Sequence, residues 1–210
     1  MAYRETEKMR KRKAQARQRI LDCTLECVAE GGFRHAKVTR IASIAGVATG
    51  SIYRHFESRE ELFAEVFRLA TQKEVDKVAE ALGTKGDAVV RLERSLRQFA
   101  ERALRGPMIA WSLIAEPVDT KVERERLRYR RAYAGLFEGA IREGMAEGTI
   151  PEQNARQSST CLVGAIAESL VGPLSPAKLD DTSGNDPETD QQLVNSIIRF
   201  CMQGLTGTRR

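Results

Sequence analysis

Apolar residues recur along this chain at the 3.6-residue spacing of helices facing a core, and no stretch alternates as a strand would. Ile20, Leu21, Thr24, Cys27 and Val28 mark a first helix over about 14–30, which Gly31-Gly32 stops. Phe33 is expected to fold back onto the core. Thr39 reads as the N-cap of a short helix with Ile41, Ile44 and Ala45 on its inner side. Gly46 makes a turn, Val47 plugs it, and a third helix covers about 48–56. Ser58 starts a fourth, with Glu61 completing a capping box, and its apolar stripe runs on towards Leu82.

Beyond the breakers at 83–86, a helix spans about 87–104 and ends at Gly106-Pro107. Residues 108–115 form a short, almost wholly apolar segment, which predicts burial on all sides. A long helix follows over about 119–144, and Pro151 opens another through about 171. Residues 173–187 read as a loop, Asp186-Pro187 as an N-cap with proline at the first helical position, and the last helix reaches about Gly204. The predicted class is all-α: about nine helices, with an N-terminal helix-turn-helix.

On the third helix Ala48, Ile52 and Phe56 share one side and Gly50 and Arg54 the other, flanked by Ser51 and Tyr53, with Thr49 and His55 near the boundary. Such an outer face suits a DNA major groove. Gly50 permits close backbone approach, and Thr49 and Ser51 offer hydroxyls. Tyr53 and His55 can donate to phosphates, and Arg54 reaches a phosphate or a guanine. Thr39 and Arg40 lie where a helix N-terminus can receive a phosphate, and Arg59 can clamp the backbone again. Each residue also has a structural alternative: Thr39 and Ser58 as caps, Tyr53 as cover for a helix seam, His55 as a satisfied boundary histidine. Together they favour DNA, because they converge on one exposed end.

Charge sharpens this reading. The net charge of the 210-residue chain is only +5, but residues 1–20 concentrate Arg4, Lys8, Arg10, Lys11, Arg12, Lys13, Arg17 and Arg19 against Glu5 and Glu7. Such an arm can neutralise phosphates, or simply keep the chain soluble. No apolar run approaches a membrane span or follows the basic N-terminus as a secretory signal would, so a cytoplasmic location without membrane attachment is expected. Cys23 and Cys27 share one side of the first helix among packing residues. With Cys161, Cys201, His35 and His55 they make no zinc-ligand spacing, so no metal or cofactor is expected.

This stretch resembles the DNA-binding domain of the TetR/AcrR family of bacterial repressors. The resemblance rests on Gly32-Phe33, on Thr39, Ile41 and Ala42, on Ala45-Gly46-Val47, on the run from Gly50 to Phe56, and on the run from Ser58 to Leu62. One departure is Ala48, where many relatives carry serine or threonine, which removes a side-chain cap and a phosphate contact. The resemblance implies a head at 1–60 with its basic arm, and a helical ligand-sensing and dimerisation domain at 61–210. It further implies a homodimer on a palindromic double-stranded operator, released by a small, largely apolar effector.

Two faces are expected at the dimer seam: Cys161, Leu162, Ala165, Ile166, Ser169 and Leu170 on one helix, and Leu193, Ile197, Ile198, Cys201 and Met202 on the last. Alternatively both stripes pack within one chain. The ligand-binding candidates are Phe67, Phe99, Trp111, Tyr133 and Phe137, aromatic residues on helices expected to surround a cavity. Trp111 and Tyr133 stand out because each carries a polar tip. Glu116 either meets a cationic group or faces solvent. The basic residues of the long helix (Lys121, Arg124, Arg126, Arg128, Arg130, Arg131) suit the phosphates of an acyl-CoA, or form a solvated face of ion pairs with Glu123 and Glu125. An architectural DNA-binding protein would share the basic arm but need no cavity. An enzyme would need a nucleophile, phosphate-loop or metal constellation that the sequence does not offer.

Overall fold

In the computed structural model, residues 7–179 and 187–207 are described. Among them are ten helical segments: α1 (Glu7–His35), α2 (Val38–Ala45), α3 (Thr49–Ile52), α4 (Arg59–Leu82), α5 (Ala88–Arg105), α6 (Pro107–Ile114), α7 (Thr120–Glu147), α8 (Ala155–Leu174), α9 (Pro176–Leu179) and α10 (Pro187–Thr206). The fold is all-α, with helix-turn-helix segments at the N-terminal end and a helical body after them.

Several ends follow from local chemistry. Ser58, Asp87, Asp119 and Asn154 cap α4, α5, α7 and α8, each accepting a backbone N–H from the first turn. Pro107 opens α6 at a position that needs no N–H donor, and Gly148 closes α7 in the left-handed conformation. Other boundaries differ from expectation. The first helix begins at Glu7, so the described part of the basic arm is helical. Residue 38 starts α2; Lys37 is its N-cap and Thr39 lies inside the first turn without capping it. The eighth helix starts after Asn154 rather than at Pro151, because only Asn154 supplies a capping acceptor. The segment read as a loop from 173 to 187 contains α9, and Asp186 lies outside the described residues.

Two apolar cores result. The first gathers Ile20, Cys27, Ile41, Ala45, Ile52, Phe56, Phe63 and Phe67, and reaches Val122 and Tyr129 on α7. Phe33 folds back into it, with its ring centroid 5.2 Å from that of Phe63. The second joins α5, the later part of α7, α8 and α10 through Leu92, Leu96, Phe137, Ile141, Leu162, Ile166, Leu170, Ile198 and Met202. The residues expected at a dimer seam are therefore largely spoken for: Leu162, Ile166, Leu170, Ile197, Ile198, Cys201 and Met202 are buried inside this chain. What α8 and α10 turn outward instead is Cys161, Gly164 and Ser169, and Ser196, Gly204 and Phe200, the last 69% exposed. The apolar segment of α6 is not buried all round. Only Ala110 and Ser112 are, and the other side chains are half-buried along a hollow in the body.

Candidate DNA-binding face, effector cavity and the joint between them

The head presents one polar face. Gly46, at φ 67°, lets the chain reverse after α2, and the Val47 N–H closes the turn on the Ala42 carbonyl at 3.0 Å. Thr49, Gly50 and Arg54 are exposed, Tyr53 is 50% exposed, and Ser51 and His55 are half-buried. A Cβ placed on Gly50 would meet nothing within 4 Å, so nothing inside the protein requires glycine there. Thr39 and Arg40 are exposed on α2, but Arg40 is paired with Glu30. Arg59 is exposed, with its guanidinium 5.1 Å above the Phe63 ring.

Two details depart from the expected helix pattern. The third helix spans Thr49–Ile52 rather than 48–56: Ala48 sits at its N-cap with no side-chain bond, and the Arg54 and His55 N–H groups bond three residues back, to Ser51 and Ile52. Thr49, Gly50 and Ile52 are poor helix formers, so an uncapped helix of this sequence stops early. Ile44, expected on the inner side, is 46% exposed, because Ile41 and Ala45 already fill that side of α2.

His55 lies against three cations. Burial, then Lys13, Arg17 and Arg54, hold its imidazole below the usual value, and its Nδ1 is buried without a partner. Arg17, assigned by sequence to the basic arm, is instead engaged by Glu65 and lies 4.7 Å over the Phe56 ring.

The body is hollow. A cavity of about 320 Å³ opens between α1, α4, α5, α6 and α7, lined by Leu25, Ala70, Thr71, Phe99, Ala103, Ile109, Ala110, Leu113 and Tyr133. A smaller one of about 50 Å³ adjoins it, walled by Phe67, Tyr129, Phe137, Val163 and Ile166. Thr71, Phe99, Leu113, Ile114 and Tyr133 belong to both. Of the five ligand candidates, Phe67 and Phe137 thus face the small cavity, and Phe99 and Tyr133 face both. Trp111 lines neither and packs on the body core. Charged groups stand at the edges. Arg102 is held by Glu74 at 2.6 Å and Lys73 lies beside them, while exposed Arg130 lines the smaller cavity.

Between head and body lies an arrangement that the sequence did not disclose. At Gly31-Gly32 the α1 backbone leaves helical geometry, and Gly32 adopts φ 77°. The freed N–H groups of Phe33 and Arg34 donate to the two carboxylate oxygens of Glu116, at 2.9 and 3.0 Å. Glu116 follows α6 and is buried, neither cation-binding nor solvated. A carboxylate at a restarted helical turn satisfies donors that would otherwise be orphaned. On its other side Arg126 of α7 donates to the carbonyls of Ser112, Leu113 and Glu116, closing the C-terminal end of α6. Burial lowers the pKa of Arg126, and Glu123 partly restores it. Arg126 is therefore a structural cation. Arg124, Arg128, Arg130 and Arg131 stay at the surface, and Arg128 pairs with Glu125 at 3.4 Å.

An exposed helix-turn-helix face joined to a hollow helical body defines a DNA-binding regulator. The family model for bacterial regulatory proteins, tetR family, matches residues 20–66, the helix-turn-helix head of this chain. Members of that family are DNA-binding regulators, not enzymes. The chain is 24% identical over 193 residues to the fatty acid metabolism regulator protein of Bacillus subtilis, covering 89% of this chain and 93% of that one. It is 28% identical over 140 residues to the HTH-type transcriptional repressor KstR2 of Rhodococcus jostii, covering 63% and 68%. The crystal structure of the transcriptional regulator FadR from Bacillus subtilis in complex with stearoyl-CoA superposes with a TM-score of 0.72 at 21% identity, over 90% of this chain and 98% of that one. No helix among the described residues is long and apolar enough to cross a membrane.

Proposed function

We propose that this protein is a ligand-responsive repressor. It binds a palindromic operator as a homodimer and is released by a small, largely apolar effector. Residues 1–60 form the DNA-binding head and 61–210 the sensing and dimerising body, with α4 running from one into the other. The observation that carries the reading is Gly50. A helical glycine costs about 1 kcal/mol relative to alanine, and this one has open space around it. A major groove approached closely by the backbone supplies the reason that the protein itself does not. Thr49, Ser51, Tyr53, Arg54 and His55 surround it, with Thr39, Arg40 and Arg59 placed for phosphates; Arg40 must give up Glu30 to reach one.

The homodimer reading draws on the outward face of α8 and α10. Phe200 is a large apolar group left in water, and Gly164 and Gly204 have no neighbour within 4 Å of a Cβ. A second copy seated there would place two heads on successive major grooves, roughly 34–36 Å apart. The effector reading draws on the apolar lining of the cavities. A second reading, that the effector is an acyl-CoA, draws on the exposed Arg130 beside the smaller cavity and on the stearoyl-CoA held by the structurally similar regulator.

Tyr53→Ala tests the function. The side chain is half-exposed and outside the core, so the variant should melt like the wild type. Its operator affinity in a footprinting titration should drop at least about tenfold, the size of a lost phosphate or base contact. Wild-type protein that protects every duplex equally would overturn the reading.

A further inference from the structure

Hydroxyls inside the helices of this protein generally return to their own backbone. Thr24 donates to the Ile20 carbonyl at 2.6 Å, Ser112 to Met108 at 2.9 Å, and Thr160 to Arg156 at 3.0 Å. Thr71 does not. It lies within α4, is 5% exposed, and its Oγ1 has no hydrogen-bond partner among the described residues. A buried hydroxyl without a partner is costly, by about 1–3 kcal/mol. Its position gives the cost a reason: Thr71 belongs to the wall shared by the large and the small cavity, and so does Tyr133.

The chemistry of that wall selects its guest. Burial raises the pKa of Tyr133, so its phenol is neutral and available as a donor. Phe99, Leu113 and Ile114 complete the shared wall and are apolar. Of the cations that line the two cavities, Arg102 is neutralised by Glu74 through two hydrogen bonds, at 2.6 and 2.9 Å, Arg126 pairs with Glu123 and is spent on the carbonyls at the end of α6, and Lys73 and Arg130 are exposed at the rims. A carboxylate held at buried Thr71 would therefore be desolvated while the cations left to meet it stay at the exposed rims. An uncharged oxygen would not.

We propose that Thr71 and Tyr133 form a polar station between the two cavities that binds the uncharged carbonyl oxygen of the effector, whose apolar arms extend to either side. The effector class is thus a ketone, ester, thioester or amide inside an otherwise hydrocarbon molecule, not a free carboxylate and not a pure hydrocarbon. The proposal rests on the effector reading above.

The test is calorimetric titration of the full-length protein in the absence of DNA, so failure of the repressor reading leaves the result interpretable. The probes are 2-undecanone, undecanoate and undecane, of equal chain length. The ketone should bind about tenfold more tightly than either other probe. Thr71→Val, which keeps the shape and removes the hydroxyl, should bring the ketone down to the level of the hydrocarbon. Tyr133→Phe should lose part of the same preference. The unliganded Thr71→Val protein should melt at the wild-type temperature or above, because an unsatisfied hydroxyl is gone. A residue with a merely structural role would lose stability and affinity together. Equal binding of ketone and hydrocarbon, preference for the carboxylate, absence of binding by all three probes, or a preference that survives Thr71→Val would each overturn the proposal.

Discussion

The head and the body of this protein are both helical and both apolar inside, yet they are built to opposite specifications. The head core is closely gathered: Ile20, Ile41, Ile52 and Leu62 are all at most 1% exposed, and the ring of Phe33 packs on those of Phe63 and Phe67. The body core encloses about 320 Å³ of space against α1, α4 and α6, with a hydroxyl left unsatisfied at its edge. A packed head keeps its outer face in one geometry. A hollow body has a free-energy deficit that a ligand can relieve, and relief of that deficit is what makes a body responsive. Such a division works only if the two parts are mechanically tied, and Glu116 and Arg126 supply the tie with every bond made.

The largest effect should follow from cutting that tie. Glu116→Ala leaves the N–H groups of Phe33 and Arg34 buried without acceptors and opens a hole beside Gly32. Urea unfolding should show a loss of about 2–4 kcal/mol, in the range for a charged group with buried partners. Gly32→Ala attacks the same joint from the other side. Its φ of 77° disfavours a side chain, and the new Cβ would stand 2.7 Å from both Glu116 oxygens. A Glu116→Ala protein within about 0.5 kcal/mol of wild type would mean that head and body are held together elsewhere.

A smaller effect should separate the two interiors directly. Ala42 is buried in the head core, and Ala110 is buried against the large cavity. Ala42→Leu forces a side chain into occupied space and should cost about 1–3 kcal/mol. Ala110→Leu has space to enter and should be neutral or stabilising by about 1 kcal/mol, while weakening effector binding by occupying its volume. Equal losses from both substitutions would show that the body is as closely packed as the head.

The same contrast explains which parts could be read from sequence. The helix-turn-helix was legible because its signals are local: Gly46 for the turn, Ser58 for the next cap, Ile41, Ala45, Ile52 and Phe56 at helical spacing. Where locality fails, so does the reading. Ile44 is apolar and nearly in phase, and only the position of α1 shows that Ile41 and Ala45 already occupy the inner side. Glu116 has partners 82 and 83 residues away, and they are backbone groups that carry no sequence signal. The seam residues of α8 and α10 have the periodicity of any buried stripe, which does not say whether the neighbour is the same chain or another. Phe200, out of phase with that stripe, is the better sign of a partner. Thr71 could not be singled out, because an ordinary helical threonine satisfies itself.

The smallest expected effect comes from a histidine of the head. Both histidines lie there, and His35 is exposed, its Nδ1 2.6 Å from the Gly31 carbonyl. Folding opposes the ionisation of His55, through burial and then through Lys13, Arg17 and Arg54. In the folded chain its imidazole releases its proton at a lower pH than the ordinary value of about 6.5. Between those two values the unfolded chain binds more protons than the folded one, so stability rises with pH and is lost as the pH falls through that window. From about pH 7 to about pH 5.5 the melting temperature should therefore fall more in the wild type than in His55→Gln, which has no proton to gain. A phosphate placed against this side chain reverses the preference, because it sets an anion directly beside the imidazole. In the proposed operator complex the acid loss should accordingly shrink, and operator affinity should rise on mild acidification relative to His55→Gln. Equal acid sensitivity in the two free proteins would place the neutral-range titration outside His55. An operator affinity with no His55-dependent pH response would remove this imidazole from the DNA-facing set and leave Tyr53 and Arg54 to hold the phosphates there.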